Sequence, residues 1–188
     1  MKASMAGGQS LFSDTFNAIE RMELALVESL ANFDVTYHYR NDGQRFQRTR
    51  KTVEYIPGSK ASRKDLMANS QASIPHVKAV NWSPPFQAPF IRGIGPPIPT
   101  EERYSSYLWA YMEAAKVFKG LIEDDGAVFE TKMAPGTCVI FDNRRIVHAR
   151  KAFDGEEGER WLRGAYIDED TFQSRMIVLN AEFGHFIP

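Results

Sequence analysis

His148, Arg160, Arg163 and Tyr166 are the residues whose types and spacing can do chemistry together. An imidazole binds a metal or moves a proton, a guanidinium forks onto a carboxylate through two parallel N–H donors, and an aromatic face holds a cation. They fall in Pro135-Gly-Thr-Cys-Val-Ile-Phe-Asp-Asn-Arg-Arg-Ile-Val-His148 and Arg160-Trp-Leu-Arg-Gly-Ala-Tyr166. A Pro-Gly turn, the apolar run Cys138 to Phe141, a polar break at Asp142-Asn143, a second run ending at His148 and a third from Arg160 to Ile167 predict three short strands. Side chains of like parity share a strand face. Ile146 and His148 therefore point one way, and Arg160, Leu162, Gly164 and Tyr166 form one line on the third strand. One imidazole, one guanidinium and one phenol can thus face a common interior. Arg163 has the opposite parity and is the fallback carboxylate partner. Taken singly, residues of these types are more often a satisfied core histidine and rim arginines.

The combination says more than its members. Phe141-Asp-Asn-Arg-Arg-Ile-Val-His148-Ala-Arg-Lys-Ala-Phe153, followed by Arg160-Trp-Leu-Arg-Gly-Ala-Tyr166-Ile-Asp-Glu-Asp170 and Ser174-Arg175, resembles the C-terminal part of the γ-butyrobetaine and trimethyllysine dioxygenases. Those belong to the TauD/TfdA-like class of Fe(II)- and 2-oxoglutarate-dependent oxygenases. The resemblance implies the distal iron ligand at His148, the partner of the 2-oxoglutarate carboxylate at Arg160, and a ring enclosing a trimethylammonium group at Tyr166. Val80-Asn-Trp-Ser-Pro-Pro-Phe-Gln87 also resembles a γ-butyrobetaine hydroxylase segment, which implies a substrate contact at Asn81. A turn-forming Asn before a Pro-rich loop is the plainer alternative there. The implied reaction is hydroxylation of a trimethylammonium amino acid such as γ-butyrobetaine, as in carnitine biosynthesis, with Fe(II) and 2-oxoglutarate as cofactor and co-substrate. Two imidazoles and one carboxylate on one face of such an iron leave three positions open. A quaternary ammonium has no N–H to donate, so aromatic faces suit it.

In that family the other two ligands come from an upstream His-x-Asp. Here His38 is followed two places on by Arg40, His76 by Lys78, His148 by Arg150 and His185 by Ile187. The resemblance starts at Gly7-Gly-Gln-Ser-Leu-Phe-Ser-Asp-Thr-Phe16, a segment the family places shortly after that motif. The expectation is a catalytic domain without its first strands and without the small N-terminal domain of the two named enzymes. A truncated, catalytically inactive fragment or interaction module on the same fold is the alternative reading.

At 188 residues and 43% hydrophobic content, the chain is long enough for one domain with its own core, expected over 1–188. A net charge of −1 gives no general polyanion binder. Eight basic and three acidic residues between Arg40 and Asp65 are read as a solvated hairpin and loop, so no nucleic-acid partner is expected. Cys138, the one cysteine, excludes an internal disulfide; inside an apolar strand it is expected to be buried and inert. No run is long enough to span a membrane, and the first ten residues carry no targeting signal. A cytoplasmic or mitochondrial setting fits.

The elements that position these residues follow from pattern. Gln9 to Phe12 predicts a strand, and Ser13 or Asp14 a cap for a helix over 14–32, broken once at most. Asp14 can also be offered as a substitute carboxylate ligand, although capping is its more ordinary job. Val35 to Tyr39 and Arg45 to Thr49 predict a hairpin around Asn41-Asp-Gly43. His38, within it, is assigned an ordinary polar role. A polar connection spans 57–74. Val77 to Trp82 predicts a strand that runs into the Pro-rich stretch up to Pro97. A helix capped by Thr100 carries Tyr104, Leu108, Tyr111, Ala115, Phe118 and Ile122 on one face to about Glu123. Ala127 to Lys132 predicts another strand, and Thr171 to Leu179 a closing helix. Pattern alone yields α+β. The resemblance narrows this to a double-stranded β-helix, mainly β and jelly-roll-like, incomplete at its N-terminal side, with two packing helices. Open sheet edges invite association with another chain, a homodimer among the options.

Overall fold

The computed structural model describes residues 7–59, 76–90, 101–152 and 162–184. Its backbone falls into two compact units, Ala6–Phe153 and a smaller one comprising Met1–Met5 with Asp154–Pro188.

In the larger unit β1 (Ser10–Asp14) leads directly into α1 (Thr15–Glu20). The Asp14 side chain accepts a hydrogen bond from Phe16 N at 2.9 Å, so capping is the job it does. The helical stretch breaks once, at Arg21–Glu23, where Met22 turns into the core, and resumes as α2 (Leu24–Asn32). The hairpin of β2 (Asp34–Asn41) and β3 (Gln44–Lys51) is longer than predicted. Asp42 and Gly43 both have positive φ, 48° and 77°, giving the two-residue turn whose twist matches paired strands. β4 (Val53–Tyr55) pairs with β5 (Val77–Val80), a pairing the sequence pattern did not predict. A 3-10 turn (Pro84–Phe86) follows. The scaffold helix α3 (Glu101–Ile122) leads to β6 (Val128–Thr131) and β7 (Ile146–Arg150).

Among the described residues all the ladders are antiparallel: a three-stranded sheet in the order β6-β1-β7, and the pairs β2-β3 and β4-β5. The core lies between the helices. Ala18, Ile19, Val27 and Leu30 meet Tyr111, Ala114, Phe118 and Ile122, with Val35, Val53 and Val80 added from the strands. Phe33 stacks on Tyr111 at 4.8 Å, and Trp82 meets Phe118 edge-on at 5.0 Å. Aromatic pairs at these separations add attraction beyond the area they bury. The stripe predicted on α3 is therefore the inward one, with Tyr104, Leu108 and Ala115 at its margin.

Two expectations are corrected. Cys138 to Phe141 does not form a strand: the segment has no ladder partner among the described residues, Cys138 is exposed, and Ile140 is 89% exposed. β-branched composition suits a strand, but a strand's backbone groups need a neighbour to pair with. Residues 162–167 are likewise irregular rather than a third strand. In the smaller unit they lead into α4 (Glu169–Phe183), capped by Asp168, whose side chain accepts from Thr171 N at 2.8 Å. Arg160, His185, the Thr100 cap and most of the 57–74 connection lie outside the described residues.

Candidate functional site

His148 stands in the middle of β7, directly opposite Phe12 of β1. Partners across an antiparallel ladder share a face, so Phe12, Phe129 of β6 and His148 project on the same side of the sheet. Val147, of opposite parity, packs against the core. The predicted alternation thus holds: Ile146 and His148 point away from the helices. Phe141, from the irregular segment, lies against both, its ring 5.4 Å from Phe12 and 5.1 Å from His148. The imidazole is exposed within this aromatic group.

The turn ahead of β7 is held from within and from two sides. Asp142 O accepts from Arg145 N (3.1 Å) and Ile146 N (2.8 Å), and Asp142 Oδ1 accepts from Arg144 N (2.8 Å). Arg145 reaches β1: its Nη2 lies 2.6 Å from Asp14 Oδ2 and its Nε 3.1 Å from both carboxylate oxygens, while the guanidinium sits 5.1 Å from the centre of the Phe16 ring. Arg144 reaches the other way, donating to Glu54 Oε2 at 2.8 Å.

Glu54 is the hub of this second side. Its Oε1 also accepts from Asn81 Nδ2 (2.7 Å) and Arg50 Nη1 (3.1 Å). Burial works to raise its pKa. The Asn81 hydrogen bond and the charges of Arg144 and Arg50 outweigh burial and hold it below its ordinary 4.5. Asp14 is also held low: burial opposes, and the Arg145 bond and the Phe16 N–H prevail. Asn81 donates its second amide hydrogen to Lys51 O at 2.8 Å, and its backbone O accepts from Tyr37 O–H at 2.7 Å. Both of its amide hydrogens are therefore spent within the fold.

The structure thus links Asn81, through Glu54 and Arg144, to the turn that launches the His148 strand. Arg163 and Tyr166 lie in the smaller unit, in the irregular stretch before α4. Among the described residues no three His, Cys, Asp or Glu side chains come together as a metal site. A lone exposed imidazole does not fit an Fe(II) centre that needs two imidazoles and a carboxylate. His38, paired across the hairpin with Gln47, does not supply the second. Glu54 and Arg144 were not singled out from sequence, because residues 90 apart give no local signal of pairing.

The family model described as "Taurine catabolism dioxygenase TauD, TfdA family" matches residues 2–166. The chain is 30% identical over 186 residues to "Dioxygenase str8" of Strobilurus tenacellus and 29% identical over 193 residues to "Probable oxidoreductase AIM17" of Saccharomyces cerevisiae, with 93% of this chain covered in each case. It spans 37% and 40% of the length of those two relatives. Likeness to the human "Gamma-butyrobetaine dioxygenase" is 39% over 70 residues, covering 37% of this chain and 18% of that protein. No helix among the described residues is long and apolar enough to cross a membrane. With the family match running through the helical core, the sheet of β1, β6 and β7 and the stretch up to Tyr166, the chain belongs to the TauD/TfdA family of dioxygenases, which use Fe(II) and 2-oxoglutarate.

Proposed function

We propose that this chain is the His148-bearing part of a double-stranded β-helix oxygenase that hydroxylates a trimethylammonium amino acid of the γ-butyrobetaine type. One observation carries the reading. Within a TauD-family match that runs to Tyr166, His148 projects from the sheet away from the core, ringed by Phe12 and Phe141. A partial likeness to γ-butyrobetaine and trimethyllysine dioxygenases, 36–39% over 70–78 residues, supports the substrate class. In this reading His148 is a metal ligand, Arg160 holds 2-oxoglutarate with Arg163 as second choice, Tyr166 encloses the trimethylammonium group, and Asn81, its amide hydrogens bound to Glu54 and Lys51, has only its amide oxygen to offer the substrate. In the family the two further ligands come from a His-x-Asp motif, which this sequence does not contain.

A second reading rests on the absence of a three-ligand group among the described residues: an inactive fragment or interaction module on the same fold. Anaerobic titration with Fe(II) and 2-oxoglutarate separates the two. If the chain is an oxygenase by itself, residues of this chain replace the missing ligands and a visible charge-transfer band appears that His148→Ala abolishes. A folded chain with no band is the second reading.

A further inference from the structure

We propose that Asp14 and Glu54 are positioning residues that set the register of β7, and with it the sheet face on which His148 stands. The inference deepens the reading of His148 as the functional imidazole and rests on it. Strand side chains alternate, so a one-residue slip of β7 against β1 would turn His148 toward the core and Val147 outward. In one direction hydrophobicity opposes that slip only weakly, because Ile146 would take the inward place of Val147; in the other, His148 itself would take that place.

The turn supplies the missing discrimination. On the β1 side, Thr15 N and Thr15 Oγ1 both donate to Arg145 O, at 3.0 and 2.6 Å, and the Arg145 guanidinium holds Asp14 through both carboxylate oxygens. On the opposite side, Val80 N donates to Arg144 O at 2.8 Å and the Arg144 guanidinium holds Glu54. Two adjacent residues are therefore each fixed by backbone and side chain to different neighbours. The register between them, Asp14 opposite Ile146 and Phe12 opposite His148, cannot shift by one residue without breaking both arms. Glu54 also binds Asn81, so the same carboxylate ties the end of β5 to this register.

The test reads His148 directly, on the full chain and without metal. In isotope-labelled protein the His148 ring signals are assigned by H148Q, and their nuclear Overhauser contacts to Phe141 report the native register. E54Q and D14N each remove one ionic arm; Asn at 14 still caps α1. Each is expected to produce a second set of His148 signals lacking the Phe141 contacts, at several times its wild-type population. D124N, which removes the exposed Arg21–Asp124 pair, serves as control and should leave the wild-type populations unchanged. If E54Q and D14N keep the wild-type signals and contacts and merely lower Tm as D124N does, the two carboxylates are ordinary structural partners and the proposal fails. The outcome is independent of iron binding, which the H148A titration decides separately.

Discussion

Glu54 accepts from Asn81, Arg50 and Arg144 on two oxygens, with 28% of its side chain exposed. Exposed ion pairs contribute about 0–1 kcal/mol each, whereas a half-buried carboxylate with three donors does more, since losing it strands the donors. Its folded pKa lies below the ordinary 4.5, so it contributes stability that is fully present above pH 4.5 and lost as pH falls through the lower folded value. Asp14 acts in the same direction from its ordinary 3.8. Thermal melts should therefore fall with pH below about 4.5. Glu54→Gln should lower Tm at pH 7 and flatten that acid limb. An acid limb unchanged in Glu54→Gln would mean that the carboxylate is not held low by these partners.

At the scale of elements, two glycines with opposite roles test how the backbone is specified. Gly43 closes the β2–β3 turn at a φ of 77°, a conformation that costs an L side chain about 1–2 kcal/mol. Gly120 lies in α3, where an added Cβ meets nothing within 4 Å, and a helical Gly costs about 0.5–1 kcal/mol relative to Ala. Urea unfolding should show Gly43→Ala destabilised and Gly120→Ala stabilised by amounts of that order. Elements of this kind were legible because their signals are local: Asn41-Asp-Gly43 for the hairpin, the spacing from Tyr104 to Ile122 for α3, and Asp14 for the α1 cap. The alternation that turns His148 away from Val147 was legible for the same reason. The Cys138 to Phe141 run shows where local signals fail. Its composition satisfies a strand, but pairing is decided by a neighbour far away in sequence. Glu54 fails for the matching reason: its partner Arg144 is 90 residues distant, and nothing in Val53-Glu-Tyr55 announces it.

For the whole molecule, a formal charge of −1 conceals an uneven distribution. Residues 39–49 form the exposed outer half of the β2–β3 ribbon, where Arg40 and Arg45 stand directly opposite each other and Arg48 follows, against Asp42 alone. Like charges facing across a ladder repel, so this ribbon attracts any polyanion that the net charge of the chain otherwise repels. The magnitude decides whether that matters. Three arginines neutralising three phosphates give a slope of log affinity on log salt of about −2.1 to −2.7, a roughly twentyfold to fortyfold loss from about 50 to about 200 mM salt. Few contacts and an opposing net charge leave little affinity to lose. On a heparin column the chain should be retarded only at low ionic strength and elute before physiological salt, with Arg40→Gln/Arg45→Gln abolishing even that. Retention persisting above physiological salt would require a contact surface larger than this ribbon and would reinstate a polyanion as a partner. Elution in the void volume at low salt would show that the net charge of the chain overrides the ribbon.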